Sequence, residues 1–379
     1  MNPDNKLADL GEFGFISRIS AAVRPGSGVV TGIGDDAAVT ALSPGMQLLT
    51  STDMLLEDVH FRCSWHDPYR LGRKSLAASI SDIAAMGGIP RWSLLSLAIP
   101  AATPLEFLDE FTRGYLSMAE EHGVALIGGD TCSSRSGLAI SVTIMGEQLP
   151  ERILRRSGAR PDDEIWVTGT LGDAAMGLRL LEGPLSKDHP HPPPNLPLEG
   201  GGTKNSHLSH VGIRGGGAIT SPPFQGEGQG GDGVHEFLTS RLLDPMPRSV
   251  TGIALAESGL VTAMIDISDG VLADFGHIAE MSGVGGLIRL ADLPVSAAFK
   301  AAARMSTPFP HHLVLAGGED YELCFTAPHE HHEKIVDTMK KCGVPAVPVG
   351  IVTSSKEVVA VTADGSRYNP AHSGFNHFS

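Results

Sequence analysis

The sequence predicts a two-domain protein in which strands and helices alternate through an α/β first half. Its 379 residues exceed what a single hydrophobic core usually serves. Apolar runs typical of strands alternate with segments of helical period from about residue 28 to 148. The pattern breaks near Pro150, where RILRRSGARPDDE opens a new unit. We therefore place an N-terminal domain at 1–150 and a C-terminal domain at 151–379.

The first half contains seven predicted elements, each assigned from the period of its apolar residues. They are, in order, strands over 29–39 and 46–55, a helix over 67–88, a strand over 92–100, a helix over 104–123, and strands over 124–130 and 138–148. Small residues along the 67–88 helix would permit close packing against its neighbours.

The second half repeats the alternation with a long interruption. Its predicted elements are a strand over 164–169 that leads through a glycine turn into a helix, a strand over 263–268, a helix over 270–283, strands over 285–294 and 317–327, and a helix over 329–343. From 183 to about 234 the composition becomes rich in Gly and Pro, as in PHPPPNLPLEGGG and SPPFQGEGQGGDG. Such a segment buries too little apolar surface to offset its ordering entropy, so we interpret it as a disordered surface insertion between two helices.

The overall charge and the cysteines exclude several classes of partner and setting. A formal net charge of −15 argues against binding nucleic acid or an anionic membrane, since both reward clustered Lys and Arg. The first residues do not resemble a secretory signal, and no apolar run approaches the roughly 20 residues of a membrane helix. The four cysteines form no C-x-x-C pair and are more typical of buried small hydrophobes than of disulfides or zinc ligands. We expect a reducing, cytoplasmic setting.

Six short acidic motifs carry the chemistry of this chain. They are GIGDD at 32–36, STD at 51–53, SDIAAMGG at 81–88, IGGD at 127–130, DISDG at 266–270 and GGEDYE at 317–322. Carboxylates beside glycine turns suit Mg²⁺, which prefers oxygen ligands while keeping waters and substrate phosphates in its shell. Together the motifs predict a site that holds magnesium against phosphate and so assists phosphoryl transfer.

Taken singly, these motifs have different strengths. Asp36 in GIGDD fits a structural turn as well as a metal site. Asp266 and Asp269 flank Ser268 at a strand end, where their side chains can converge on one cation. Asp82 interrupts a helix of apolar and small residues, where burying a carboxylate without a partner is costly, and its mid-helix position favours a metal ligand over a cap.

Two further strand ends offer oxygen donors or close approach to phosphate. Asp130 ends an apolar strand after a glycine pair, including Gly129, that would let a phosphate approach the backbone. Asp53 has the hydroxyls of Ser51 and Thr52 beside it as further donors.

The remaining candidates admit two interpretations each. Arg156 in RRSG could clamp a nucleotide phosphate in a bidentate manner or be a solvated surface residue. His60 in EDVHF could contact a substrate or lie beneath a strand. The histidines of HEHHE at 329–333 are more typical of the solvated face of a late helix than of a magnesium site, because magnesium prefers oxygen.

The ordered set GIGDD, STD, EDVHF, SDIAAMG, IGGDT, RRSG, DISDG and GGEDYELCF resembles the thiamine-monophosphate kinase family, of the superfamily that includes aminoimidazole ribonucleotide synthetase. The resemblance covers nearly the whole chain outside the insertion. It implies a kinase, a transferase of thiamine biosynthesis, that moves the γ-phosphate of ATP onto thiamine monophosphate to give thiamine diphosphate. It also implies an N-terminal domain whose strands join a dimer-spanning β-barrel, a C-terminal α+β domain, and a homodimer.

The resemblance further implies site residues of three kinds. Magnesium would be held by Asp36, Ser51, Thr52, Asp53, Asp82, Asp130, Asp266 and Asp269, of which Asp53, Asp82 and Asp130 would be catalytic. ATP would contact Gly129, Asp130, Arg156 and Ser268, and thiamine monophosphate would contact His60, Glu319 and Phe375. From the residues alone, Phe375 in SGFNHF reads as a terminal hydrophobic residue packed on the core, and the family often has Trp or Tyr there.

Two alternatives remain at this point. An aminoimidazole ribonucleotide synthetase would typically carry a TDGVGTK-like segment where this chain has STDMLLEDVH, and the lysine of that segment is missing. A non-catalytic protein that binds magnesium or nucleotide would share the acidic motifs but would not turn over substrate.

Overall fold

The computed structural model describes residues 7–24, 26–183, 231–304 and 308–374. Most of the predicted insertion, and Phe375, lie outside these residues. None of the helices in the described part is both long enough and apolar enough to cross a membrane. All four cysteines are free, but Cys63 and Cys132 are exposed, whereas burial was predicted.

The first half is built on a four-stranded sheet with strand order β3-β6-β4-β5. Its elements are α1 (Leu7–Ala22), β1 (Val29–Thr31), β2 (Val39–Thr40), β3 (Gln47–Leu56), α2 (Pro68–Ala85), β4 (Ile89–Pro100), α3 (Leu105–His122), β5 (Ala125–Ser134) and β6 (Ala139–Gln148). Strand β6 is antiparallel to both β3 and β4, and β4 is parallel to β5. Helices α2 and α3 pack on one face through a core that includes Leu71, Leu76 and Phe111.

The second half is built on a seven-stranded sheet with strand order β13-β12-β9-β11-β7-β10-β8. Its elements are β7 (Asp163–Thr168), α4 (Asp173–Glu182), α5 (Gly231–Leu243), α6 (Ser249–Ser258), β8 (Ala263–Ile267), α7 (Val271–Ser282), β9 (Gly285–Arg289), α8 (Ala297–Ala303), α9 (His311–Ala316), β10 (Glu322–Pro328), α10 (His332–Cys342), β11 (Ala346–Thr353), β12 (Val358–Val361) and β13 (Arg367–Tyr368). All its pairs are antiparallel except β12 with β9.

Two cores enclose this second sheet. One face packs on α7, α8 and α9 through residues such as Phe275 and Phe299. The other face packs on α6 and α10, where the rings of Trp166 and Phe325 stack with centroids 5.9 Å apart. The chain therefore has mixed α/β content in both halves, and neither sheet closes into a barrel within the described ranges of the single chain.

Several predicted boundaries were wrong, for local reasons. The strand predicted over 29–39 splits into β1 and β2, because the backbone turns at Gly34 (φ 125°) and the adjacent aspartates. The strand predicted from Gly317 begins only at Glu322, since residues 317–321 form a loop. Helix α10 begins at His332 after a short 3₁₀ turn over His329–His331. The last residues of the predicted insertion belong to helix α5, which begins at Gly231, and residues 184–230 lie outside the described part of the chain.

Helix α2 is the element that joins the two halves. It packs on β3 and β4 of its own sheet and on α6 and β8 of the other half. Close approach to α6 is possible because Gly252 has no side chain: a Cβ there would lie 2.2 Å from the Ala84 carbonyl oxygen. The predicted 67–88 helix is thus confirmed, and its small residues serve the packing expected of them.

Candidate active site

Three carboxylates meet along the buried side of α2, and we call Asp53, Asp82 and Asp266 the acidic cluster. Each accepts a hydrogen bond from a serine hydroxyl across an interface between elements. Ser79 of α2 donates to Asp53 of β3 at 2.5 Å, and Ser81 of α2 donates to Asp266 of β8 at 2.8 Å. The acidic cluster therefore joins both halves of the chain through one helix.

The third pair of the acidic cluster runs in the opposite sense, from strand to helix. Ser51 of β3 donates to Asp82 of α2 at 2.5 Å. Asp82 lies in the last turn of α2 rather than in mid-helix as predicted. A carboxylate is unfavourable at that end, because the helix dipole presents partial negative charge there. The dipole of α2 therefore does not stabilise the negative charge of Asp82.

The acidic cluster holds more negative charge than its surroundings offset. Burial, and then the charge of Asp82, raises the pKa of Asp53 to about 6, against the hydrogen bond from Ser79. Burial and the charge of Asp82 likewise raise the pKa of Asp266 to about 7. Burial also raises the pKa of Asp82, although the Ser51 hydroxyl and Arg156 act in the opposite direction. Such carboxylates are stabilised as anions when a cation binds between them.

The turn after β8 adds two more carboxylates, Asp269 and Asp274. The backbone N–H groups of Asp269 and Gly270 donate to Asp274 Oδ2 at 3.1 and 3.0 Å. Burial and the charges of Asp266 and Asp269 raise the pKa of Asp274 to about 8. Asp274 was not predicted from the sequence, because it sits inside a helix with no glycine beside it. It organises the DISDG turn from the first turn of α7.

The loop from Gly317 to Tyr321 packs directly against this turn. The N–H of Glu319 donates to the Ser268 carbonyl at 2.7 Å, and the N–H of Tyr321 donates to the Ile267 carbonyl at 2.9 Å. Glu319 and Tyr321 both have positive φ, at 66° and 50°, a conformation that costs free energy for residues other than glycine and recurs at functional sites. Burial, and then the charges of Glu319 and Asp53, raises the pKa of Tyr321, which places this loop beside the acidic cluster.

Lys74 of α2 fixes the side chain of Glu319. Its ammonium group is fully buried and donates to Glu319 at 3.0 Å and to the Leu242 carbonyl at 3.1 Å. The Glu319 side chain is 29% exposed, so its other face is open to a ligand. Sequence reasoning missed Lys74, Ser79 and Ser81, although they lie on the same helix as Asp82 and are polar residues within a segment that is buried along almost its whole length.

Arg156, Ser268 and His60 lie around this centre in different ways. Arg156 is exposed, and its charge acts on Asp82 and Asp266, so the clamp interpretation is geometrically available. Ser268 is half-buried between Asp266 and Asp269. His60 is also half-buried, and its Nδ1 accepts from the Leu56 N–H at 3.0 Å, which leaves the ring proton on Nε2 when the imidazole is neutral.

Other predicted site residues are not drawn into the acidic cluster. The Thr52 side chain lies on the opposite face of β3 from Ser51 and Asp53, since neighbouring residues in a strand alternate in direction, and its hydroxyl donates to the Val142 carbonyl at 3.2 Å. Only the main chain of Thr52 could face the cluster. Asp36 lies exposed in the turn after β1, and Asp130 is exposed on β5 opposite Ser96. Within the described residues, no hydrogen bond or ion pair joins Asp36 or Asp130 to the cluster.

The donor set fits a hard divalent cation. All the groups that converge are carboxylate or hydroxyl oxygens, which are the ligands that Mg²⁺ prefers. All three carboxylates of the acidic cluster have raised pKa values, and Arg156 is the positive charge that acts most on Asp82 and Asp266 among the residues that the structure describes. A bound cation would therefore offset both the loss of solvation on burial and the repulsion that Asp82 exerts on Asp53 and Asp266.

Comparison with known proteins agrees with this architecture. The family models for the N-terminal and C-terminal domains of AIR synthase related proteins match residues 34–148 and 208–362. The thiamine-monophosphate kinase of Escherichia coli (strain K12) is 33% identical over 370 residues, which is 97% of this chain and 98% of the relative. The structure of thiamine-monophosphate kinase from Stenotrophomonas maltophilia K279a covers 94% of this chain and 98% of its own, with a TM-score of 0.73 and 32% identity.

A structure of AaThiL complexed with AMPPCP and TMP is similar over the full length of both chains, with a TM-score of 0.68 and 29% identity. These similarities extend across both halves of the chain and hence across every element that contributes to the acidic cluster. The chain belongs to the thiamine-monophosphate kinase family.

Proposed function

We propose that this chain transfers the γ-phosphate of ATP to thiamine monophosphate, giving thiamine diphosphate and ADP. The observation that carries the proposal is the acidic cluster, in which the half-buried carboxylates of Asp53 and Asp82 meet the buried carboxylate of Asp266 from the other half with too little positive charge. The AaThiL complex with AMPPCP, an ATP analogue, and TMP supports two anionic reactants for this fold. An acidic cluster beside two phosphorylated ligands needs divalent cations between them.

The residues that would hold magnesium are Ser51, Asp53, Asp82, Asp266 and Asp269. We include Asp36, Asp130 and the main chain of Thr52 as ligands that would complete the site once both reactants are bound. Magnesium there would neutralise phosphate charge and orient the transferring group. The serines of α2 keep Asp53 and Asp266 in fixed orientations, so the donors need little reorganisation when a cation enters.

ATP would contact Gly129, Asp130, Arg156 and Ser268. Arg156 is exposed beside the acidic cluster and can donate two parallel hydrogen bonds to a phosphate. Gly129 adopts φ 156°, and a Cβ there would lie 1.8 Å from the Leu95 carbonyl oxygen. Only glycine fits this position, and its exposed backbone is open to close approach by a phosphate.

Thiamine monophosphate would contact His60, Glu319 and Phe375. The carboxylate of Glu319, held by Lys74 on one side and open on the other, would attract the cationic ring of thiamine. His60 could donate from Nε2 to the substrate phosphate, because its Nδ1 is engaged by the backbone of Leu56. The role of Phe375 rests on the family resemblance alone.

A phosphate acceptor makes a general base unnecessary. A phosphate monoester is already anionic near neutral pH and attacks the γ-phosphate without losing a proton. The protein then contributes position and charge. Asp53, Asp82 and Asp130 would supply oxygen ligands to the cation, and Arg156 would offset the charge on the transferring phosphate. Both reactants would be brought together where the halves of the chain meet along α2.

We also propose the homodimer and the dimer-spanning barrel that the resemblance implies. On β3, the side chains of Leu48 and Met54 are exposed on the face opposite α2, and β3 is an edge strand of its sheet. An exposed apolar face with a free edge is normally covered by a partner.

We propose a reducing, cytoplasmic setting, with which the four free cysteines are compatible. We place the domain division near Pro150, because the strands of the first sheet precede it in the chain and those of the second sheet follow it.

The test is a substrate panel with purified protein, ATP and Mg²⁺. We expect thiamine diphosphate from thiamine monophosphate and no phosphorylated or cyclised product from formylglycinamidine ribonucleotide. Asp53→Asn and Asp82→Asn should each lose most of the rate while keeping the wild-type circular dichroism spectrum. Unchanged turnover in both variants would remove the metal assignment, and absence of turnover in the wild type would favour a non-catalytic nucleotide-binding protein.

A further inference from the structure

A second group of metal-ligating side chains lies apart from the acidic cluster. Glu164 of β7 meets His329, in the 3₁₀ turn before α10, and His332, the first residue of α10. His329 Nδ1 lies 2.8 Å from Glu164 Oε1, and His332 Nδ1 lies 3.0 Å from Glu164 Oε2. One ligand atom from each of the three residues lies within 4.8 Å of the others.

We propose that Glu164, His329 and His332 bind a divalent transition metal of the Zn²⁺ class. Two imidazoles and one carboxylate form a donor set that suits zinc and its neighbours, whereas magnesium takes oxygen. Zinc–nitrogen bonds of roughly 2.0–2.1 Å in a tetrahedral site put neighbouring ligand atoms about 3.3 Å apart. The two histidine–glutamate separations, 2.8 and 3.0 Å, are close to this value, and the ligand atoms of the two histidines lie within 4.8 Å of each other. A metal can therefore enter if the side chains of the three residues adjust.

The position of each donor is set by the surrounding fold. Glu164 lies on a central strand, paired with Ala327 of β10 and Ile351 of β11, and its side chain is 14% exposed. The His332 ring packs on Trp166, with centroids 4.8 Å apart. His329 is the most exposed donor, at 80%, so the remaining coordination position would face solvent and accept water.

Neighbouring His331 is excluded from this group, which provides a matched control. Its Nδ1 lies 3.1 Å from the Leu260 carbonyl oxygen, on the other side of the turn. The sequence favoured a solvated helix face for the whole HEHHE segment, but two of its three histidines instead converge on a carboxylate brought from a distant strand. Only the tertiary fold supplies that third donor.

This site is separate from the acidic cluster. Glu164 lies near the beginning of β7, and Pro328, at the end of β10, pairs with Asp163 there. Strand β10 begins at Glu322, directly after the Glu319 loop, and ends at Pro328. These two ends are six residues apart along an extended strand, which is roughly 20 Å. A metal bound at Glu164 would tie the start of α10 to the central strand without touching the proposed reactants.

The test is a Zn²⁺ titration of the full-length chain by isothermal calorimetry with Mg²⁺ in excess, so that magnesium occupies the acidic cluster. The background variant Cys63→Ser/Cys132→Ser removes the two exposed thiols as competing ligands. We expect one zinc per chain in this background and with His331→Ala added. The His329→Ala/His332→Ala variant should lose this binding. Glu164→Gln should weaken the zinc affinity by more than about tenfold, because even residues that only support a metal ligand cost about tenfold when they are replaced.

Co²⁺ substitution provides a second measurement that does not depend on stability or on kinase activity. Bound by these three residues and water, cobalt should give the intense visible absorption of a four-coordinate site, and His329→Ala/His332→Ala should remove it. The proposal is overturned if the background protein binds no zinc at 100 µM free metal, or if the double-histidine variant binds zinc and cobalt as tightly as His331→Ala. Either result leaves the kinase proposal untouched.

Discussion

Replacing Asp266 with Asn should stabilise the protein without metal and abolish its stabilisation by magnesium. Asp266 is 3% exposed, and burial together with the charge of Asp82 raises its pKa from the ordinary 3.8 to about 7. The folded protein therefore favours the protonated carboxyl. The protonated carboxyl of Asp266 contributes fully to the free energy of unfolding below the pKa of the unfolded state, near 4. This contribution is lost as the pH rises through the pKa of the folded state, about 7.

The size of the effect follows from that shift. About three pKa units correspond to about 4 kcal/mol at pH 8, because one unit is worth about 1.4 kcal/mol. Asn removes the charge but keeps an oxygen that can accept the Ser81 hydrogen bond. We therefore expect the free energy of unfolding of metal-free Asp266→Asn to rise by up to about 4 kcal/mol at pH 8, and to change little at pH 4.

The assay is urea unfolding at both pH values, in EDTA and in millimolar Mg²⁺. Wild type should gain stability from magnesium at pH 8, whereas Asp266→Asn should gain little and lose phosphoryl transfer. A matched control is Glu147→Gln, also nearly fully buried: burial acts to raise its pKa, but hydrogen bonds from Ser43 and Arg91 outweigh it and lower the pKa. Glu147→Gln should therefore destabilise at pH 8. Loss of stability in metal-free Asp266→Asn at pH 8, or an undiminished magnesium effect, would refute the reasoning.

Three further predictions concern the same centre and the insertion. Glu319→Gln should lower the free energy of unfolding by about 3 kcal/mol, because it leaves the fully buried ammonium of Lys74 without a compensating charge. Lys74→Met should lower it by less, because the partly exposed carboxylate of Glu319 can be hydrated. Equal losses of the two variants in urea unfolding would contradict this. The magnesium concentration for half-maximal activity should rise as the pH falls from 8 to 6, because Asp53 and Asp266 must lose protons to bind the cation, and a flat profile would argue against these ligands. Replacing residues 184–230 with a short Gly/Ser linker should leave kcat/KM within about twofold, since loop closure depends weakly on length; a large fall in Tm would show that the segment packs.

The sequence predicted the strands and helices that have a clear apolar period, and it was wrong where turns decided the boundary. Strand β3 was identified from the apolar residues of 46–55, and helix α2 from the helical period and the small residues of 67–88. In the structure α2 is buried on nearly all sides from Leu71 to Ala85. The boundary at Glu322 was missed because GGEDY continues into an apolar strand without a break in composition. The chain turns before β10 because Glu319 and Tyr321 adopt positive φ, a conformation that cannot be predicted from these residue types.

The carboxylates of the site were predictable and their partners were not. Asp53, Asp82 and Asp266 stand out in a sequence because ionised groups inside apolar segments are rare. Ser79 and Ser81 do not stand out, since serines in a helix usually bond to their own backbone or to solvent. Thr52 shows the converse: adjacency to Asp53 suggested a shared ligand, but alternation along the strand places its side chain on the other face.

Helix α2 explains why the fold can maintain so unfavourable a set of charges. Packing of Gly252 against the Ala84 carbonyl holds the two halves in close contact. That contact brings Asp266 beside Asp82, and burial together with the charge of Asp82 raises the pKa of Asp266. A site assembled in this way would bind a cation partly by relieving the repulsion between Asp82 and Asp266, so affinity for the metal would be gained at the expense of the stability of the metal-free protein. Ser79 and Ser81 of the same helix limit that expense, because they donate hydrogen bonds to Asp53 and Asp266 without neutralising the acidic cluster itself. Lys74 pairs instead with the half-buried Glu319 beside the cluster.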